Sequence, residues 1–129
     1  MALVSSQIDV FLDYFTGTTP TAPTTLYIDL LDATKTSILT TIAGSANRQT
    51  LTLGAAATDG IDRWKANTTE IVFTASASGP ATYQYISVYD AITGGNKLTE
   101  ESFAPTAIVS TQKVAISIGD YKLKFNLPI

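Results

Sequence analysis

Residues 113–127 read KVAISIGDYKLKFNL, and apolar and polar positions alternate along almost the whole stretch. Val114, Ile116 and Ile118 fall on one side, with Lys113 and Ser117 on the other. After Gly119-Asp120 the pattern resumes, with Tyr121, Leu123, Phe125 and Leu127 on one side and Lys122, Lys124 and Asn126 on the other. A helix repeats every 3.6 residues and cannot gather such positions on one face, whereas a strand gathers every second one. Lysines on the wet side complete the pattern of a half-buried antiparallel strand. Gly119-Asp120 suits a two-residue hairpin turn of type II′, with glycine first.

The same period recurs upstream. LYIDLL sets Leu26, Ile28 and Leu30 against Tyr27 and Asp29, and TSILTTI follows a polar turn at 32–35. NRQTLTLG sets Leu51 and Leu53 against Arg48, Thr50 and Thr52, and EIVFTASA puts Ile71, Phe73 and Ala75 on one side. YQYISVY carries Ile86 and Val88 on one face and Tyr83, Tyr85 and Tyr89 on the other, so it needs neighbours on both sides. Residues 55–67 have the weakest pattern, an alanine run and then TDGIDRWKAN, and are expected to be the longest loop. The 129 residues fit a single domain spanning 1–129. Seven or eight short strands with frequent turn signals predict an all-β fold, an antiparallel β-sandwich or jelly roll.

One segment breaks the period. In VSSQIDVFLDYFTG, Val4, Ile8, Phe11, Leu12 and Phe15 recur at helical spacing, predicting a helix over about 5–16. Ser5 or Ser6 can cap its start and Gly17 its end. Its apolar face either lies on the edge of the β core or serves as a docking arm through Ile8, Phe11, Leu12 and Phe15.

Composition excludes several functions. The chain has neither cysteine nor histidine, so disulfides, Cys/His zinc sites and Ser-His-Asp or Cys-His catalysis are absent. The net charge is −3 and the eight Lys and Arg are scattered, which argues against nucleic acid or an anionic membrane surface as partner. No apolar run approaches the ~18 residues of a membrane span. The N-terminus lacks the pattern of a secretion signal, so the expectation is a protein made and used without that route.

Candidate chemistry is sparse. Asp29 with Asp32, Asp59 with Asp62, and Glu100 with Glu101 are the carboxylate clusters. Glycoside hydrolysis needs two carboxyls facing one another across a sugar, and adjacent strand residues point apart. Asp59 and Asp62 could offer oxygens to calcium, but the EF-hand spacing is missing and a solvated loop is the expectation. Neither a metal nor another cofactor is expected. Trp64, with Tyr83, Tyr85 and Tyr89, makes the aromatic set. That face is either covered by the chain itself, or a protein interface, or a stacking surface for a glycan.

TAPTTLYIDLLDA, NRQTLTLGAAA, NTTEIVF, YQYISVYDAITGGNKL and IGDYKLKFNLPI, in this order, carry a resemblance that spans nearly the whole chain. The sequence resembles a family of small tailed-phage structural proteins of tail-fibre-like type. Tyr83 stands where the family pattern has tryptophan. The resemblance implies a non-enzymatic virion protein, assembled in the host cytoplasm and resident in the particle. It would be a capsid cement or decoration protein, or a small tail or baseplate component. Its partners would be major capsid or tail proteins and further copies of itself, with a trimer as one form. The alternatives are a receptor- or glycan-binding tail module and a cell-wall hydrolase.

Overall fold

The computed structural model describes residues 2–3, 5–19, 22–39, 48–59, 62–74, 81–109 and 112–126. A short strand, β1 (Ala2–Leu3), precedes α1 (Ser5–Phe15), the one helix among the described residues. Nine strands follow: β2 (Leu26–Leu31), β3 (Gln49–Leu51), β4 (Ala57–Asp59), β5 (Asp62–Ala66), β6 (Ile71–Thr74), β7 (Ala81–Tyr89), β8 (Lys97–Ile108), β9 (Lys113–Ile116) and β10 (Lys122–Asn126). Every pairing among them is antiparallel.

The fold is the expected all-β sandwich. One sheet has the order β1-β8-β7-β2-β3, and the opposing layer consists of β10-β5-β4 and the pair β6-β9. The five-stranded sheet fills the core with Ile28, Leu30, Leu51, Ile86 and Val88, and β6 contributes Ile71 and Phe73. Val114 and Ile116 of β9, Tyr121, Ile38 and Leu39 close it. β7 lies between β8 and β2, so it has the neighbours on both sides that its two apolar faces require. Asp29 and Leu31 are buried as well, on the face of β2 turned away from this core.

Long-range pairing corrects several expectations. Residues 55–67 are not the longest loop. β4 and β5 form a hairpin there, and β5 pairs along its whole length with β10, from Lys122↔Ala66 to Asn126↔Asp62. The local pattern is weak because the partner strand lies some sixty residues away. The two alternating strands at the C-terminal end are not a hairpin either: β9 pairs with β6, and β10 with β5. The chain crosses between the two small sheets through a turn in which Asp120 N donates to Ser117 O (3.0 Å). Gly119 is thus the third residue of the turn, with φ +86°, as type II rather than type II′ demands. Ile118, expected inside, is exposed at the tip. TSILTTI yields only the bridge Leu31↔Ser37 before its later residues pass outside the described ones. Val4, Ala75, Leu127 and the side chains of Ser5, Ser6 and Phe125 also lie outside what is described.

Asn67 locks this crossover. It is buried, and its Nδ2 donates to Thr69 O (2.8 Å) and Ser117 O (3.0 Å), while Oδ1 accepts from Tyr121 N (2.9 Å). Its backbone N–H donates to Tyr121 O and its carbonyl accepts from Gly119 N. One amide side chain therefore holds the end of β5 to both sides of the 117–120 turn.

β8 is the longest strand, and its register against β7 slips between Tyr83 and Tyr85, where Phe103, Ala104 and Pro105 are accommodated. Core-facing residues of β7 run Ala81 and Tyr83, then Ile86 and Val88, so the inward parity changes at the slip.

Candidate functional site

α1 ends as its sequence predicts. Gly17 takes φ +100°, Thr18 N donates to Asp13 O (2.9 Å) and Gly17 N to Tyr14 O (3.3 Å), the paired bonds of a Schellman cap. The helix does not bury its apolar stripe on the chain's own core. Ile8 (47%), Phe11 (51%), Leu12 (58%) and Phe15 (81%) are exposed, and Tyr14 stands beside Phe15 with ring centroids 6.0 Å apart. Gln7 and Phe11 alone border a small hollow of ≈ 170 Å³, with Leu26, Val88, Leu98, Thr99 and Leu123 on its other walls. Asp9 and Asp13, one turn apart, form an acidic row beside the Ile8-Leu12-Phe15 row.

Leu26 and Leu123 also line a larger apolar cleft of ≈ 400 Å³, with Leu53, Ala56, Arg63 and Lys65. The cleft opens between the five-stranded sheet and the β10-β5-β4 sheet. Trp64 borders it, but alternation along β5 sends the indole to the opposite side from Arg63 and Lys65, where Lys122 Nζ sits 4.6 Å from the ring centroid.

The aromatic row divides. Tyr83 packs against the core through the change of parity described above. Tyr85 and Tyr89 share the outer face of the five-stranded sheet, opposite Leu31 and Tyr27 on β2. Each carries a cation: Lys35 Nζ lies 5.3 Å from the Tyr85 centroid and the Arg48 guanidinium 3.5 Å from that of Tyr89. Trp64 belongs to the other layer, so these four rings form no common surface.

Arg48 is the centre of that outer face. Its Nε donates to Asp29 Oδ2 (3.0 Å), and its Nη1 to Ala91 O (2.8 Å) and Gly94 O (2.7 Å). Ser37 Oγ donates to Asp29 Oδ1 (2.7 Å), so the buried carboxylate is satisfied on both oxygens. Within the glycine loop, Asp90 accepts from Asn96 N (2.7 Å) and Asn96 Nδ2 (2.9 Å), which hold its carboxyl below the usual range. Gly94 and Gly95 take φ +61° and +69°. The guanidinium thus ties β2, the start of β3 and the loop after β7 into one unit.

Residues 8–124 match the sequence profile of the family described as podophage GP4 fiber I protein gp80. The chain belongs to this family. No curated protein matches it. The RQ segment and the glycine loop of this fiber I protein family member meet through Arg48, which makes both of them scaffold.

Two more of the carboxylate candidates, Asp32 and Glu100, are engaged within the fold. Asp32 accepts from Thr34 Oγ1, Thr34 N and Thr36 N, hydrogen bonds that lower its pKa and shape the turn in which Lys35 takes φ +64°. Glu100 bridges Lys35 (2.8 Å) and Lys97 (2.9 Å). Burial raises the Glu100 pKa, but the two lysines outweigh it and the net shift is downward. Asp59 and Asp62 are paired at the hairpin end, and their side chains lie outside the described ones. Among the described residues no group of three or more acidic side chains could hold a metal ion, and no helix is long and apolar enough to cross a membrane.

Sequence reasoning put Arg48 among outward polar residues and missed its role. The signal was present: a lone arginine in NRQ, an aspartate at a buried strand position, and a loop whose paired glycines leave carbonyls pointing out of the sheet.

Proposed function

We propose that this protein is a non-enzymatic subunit of the tail-fibre apparatus, held in place by docking through α1. The observation that carries this reading is the exposed stripe of Ile8, Phe11, Leu12 and Phe15. An apolar helix face that the chain's own core leaves open marks an interaction surface. The fibre description of the family favours the tail over the capsid shell. The sequence holds no repeat, heptad run or other shaft-forming period, so the domain acts as a compact module attached to the fibre rather than as its shaft. A glycan-binding role is disfavoured because Trp64, Tyr85 and Tyr89 each lie against a cation, and Trp64 sits in the other layer from the two tyrosines. Hydrolysis is disfavoured because Asp29, Asp32 and Glu100 are each committed to hydrogen bonds or ion pairs within the fold.

The test is incorporation. Phage carrying Phe11→Asp with Phe15→Asp should assemble particles lacking this subunit, while the purified variant keeps the wild-type circular dichroism spectrum. Particles that retain the variant at full occupancy, or cryo-electron density placing the chain on the capsid shell, would refute the reading.

A further inference from the structure

We propose that the partner of α1 is a second copy of this chain, and that its receiving site is the cleft walled by Leu26, Leu53, Ala56 and Leu123 between Arg63 and Lys65. This deepens the docking reading and rests on it. Two properties of the surface match. The outward row of α1 is apolar, with Asp9 and Asp13 beside it, and residues 1–34 contain no lysine or arginine. The cleft is apolar within and edged by Arg63 and Lys65, two positions apart on one face of β5. An acidic-edged knob thus meets a basic-edged hollow, the arrangement that steers association and fixes register.

The helix of the same copy does not fill this hollow. Its Gln7 and Phe11 border the small hollow that Leu26 and Leu123 also line, beside the cleft, while Leu12 and Phe15 face outward. Knob and hollow are different patches of one chain. Copies therefore join either by exchanging helices about a twofold axis or head to tail, in a ring where the rotation closes and in an open array where it does not.

Sedimentation of the full chain over a concentration series tests this. Wild-type protein should self-associate. Leu12→Asp with Phe15→Asp should weaken association about 30-fold or more, as expected for a central anchor. Arg63→Glu with Lys65→Glu should weaken it about tenfold, and so should Asp9→Lys with Asp13→Lys, both effects shrinking in high salt. Mixing these two charge variants places a lysine-edged helix opposite a glutamate-edged cleft, and association should return. Circular dichroism and melting temperature, unchanged because all six residues are exposed or line open surface, control for folding. Two outcomes overturn the proposal while leaving α1 docking intact. One is a chain that stays monomeric at every concentration although Phe11→Asp with Phe15→Asp still abolishes incorporation. The other is self-association lost with Leu12→Asp and Phe15→Asp but indifferent to the cleft charges and to mixing.

Discussion

Replacing Asn67 with alanine removes three side-chain hydrogen bonds at the crossover between the small sheets, to Thr69 O, Ser117 O and Tyr121 N. The Tyr121 N–H is buried and would lose its acceptor outright, costing about 1–3 kcal/mol. The two carbonyls are partly reachable by water, so each loss is the net value of one hydrogen bond, about 0.5–1.5 kcal/mol. The sum is about 4 kcal/mol, a large part of the ~5–15 kcal/mol that stabilises an ordinary domain. For a chain of this length it should lower the melting temperature by about 10–20 °C. Urea unfolding should show a lower midpoint with unchanged slope, since the exposed area on unfolding is the same. Asn67→Asp sharpens the test. It keeps an acceptor for Tyr121 N–H but aims a carboxylate at two carbonyls, which raises the folded-state pKa above the unfolded one. That variant should therefore gain stability as the pH falls through its folded pKa, where the acid can donate once. A loss below about 1 kcal/mol for Asn67→Ala, or an Asn67→Asp variant insensitive to acid, would refute the assignment of Asn67 as the lock.

The glycine loop gives a paired comparison: a Cβ on Gly95 would lie 2.5 Å from Asp90 Oδ1 and 2.6 Å from Ala91 Cβ, whereas one on Gly94 meets nothing within 4 Å. Both take positive φ, so in chemical denaturation Gly94→Ala should cost about 1 kcal/mol and Gly95→Ala about 2–4 kcal/mol. Arg48→Met strands the buried Asp29 carboxylate and should cost about 3–5 kcal/mol, part of it recovered in the double variant with Asp29→Asn. Hydrogen bonds from Asn96 hold the folded Asp90 carboxyl below its ordinary value, so its contribution is full above that ordinary value and is lost as the pH drops through the lower folded one. The melting temperature should fall on acidification below about pH 4, and Asp90→Asn should flatten that part of the profile.

The strands were legible where burial is one-sided and the partner does not matter. EIVF shows its inner face by period alone, and the same alternation picked out Ile28 and Leu30 in LYIDLL and Ile86 and Val88 in YQYISVY, although β2 is buried on both faces. The helix and its Gly17 cap were legible for the same local reason. Pairing was not. Nothing within KVAISIGDYKLKFNL says that β9 and β10 join different sheets; that depends on β6 and β5, and on an asparagine fifty residues upstream. The hairpin of β4 and β5 was hidden because DRWKA has little strand propensity and is held by β10. The exposure of α1 could not be read either, since an apolar helical stripe looks identical whether it covers its own core or awaits another surface. Tyr83 was misplaced because a register slip on β8 changes the parity of β7, and slips leave no mark in a window of one strand.

The irregular run of β8 bears on how such a chain behaves when many copies are made at once. β1 covers only Thr99 and Glu100, leaving the outer margin of β8 from Glu101 to Ala107 without a described neighbouring strand. A straight, unshielded margin of that length would invite other copies to zip alongside it as an extra strand. Pro105 offers no N–H there, and the slipped register bends the ribbon out of line, so crowding during phage production should leave copies free to assemble without clumping.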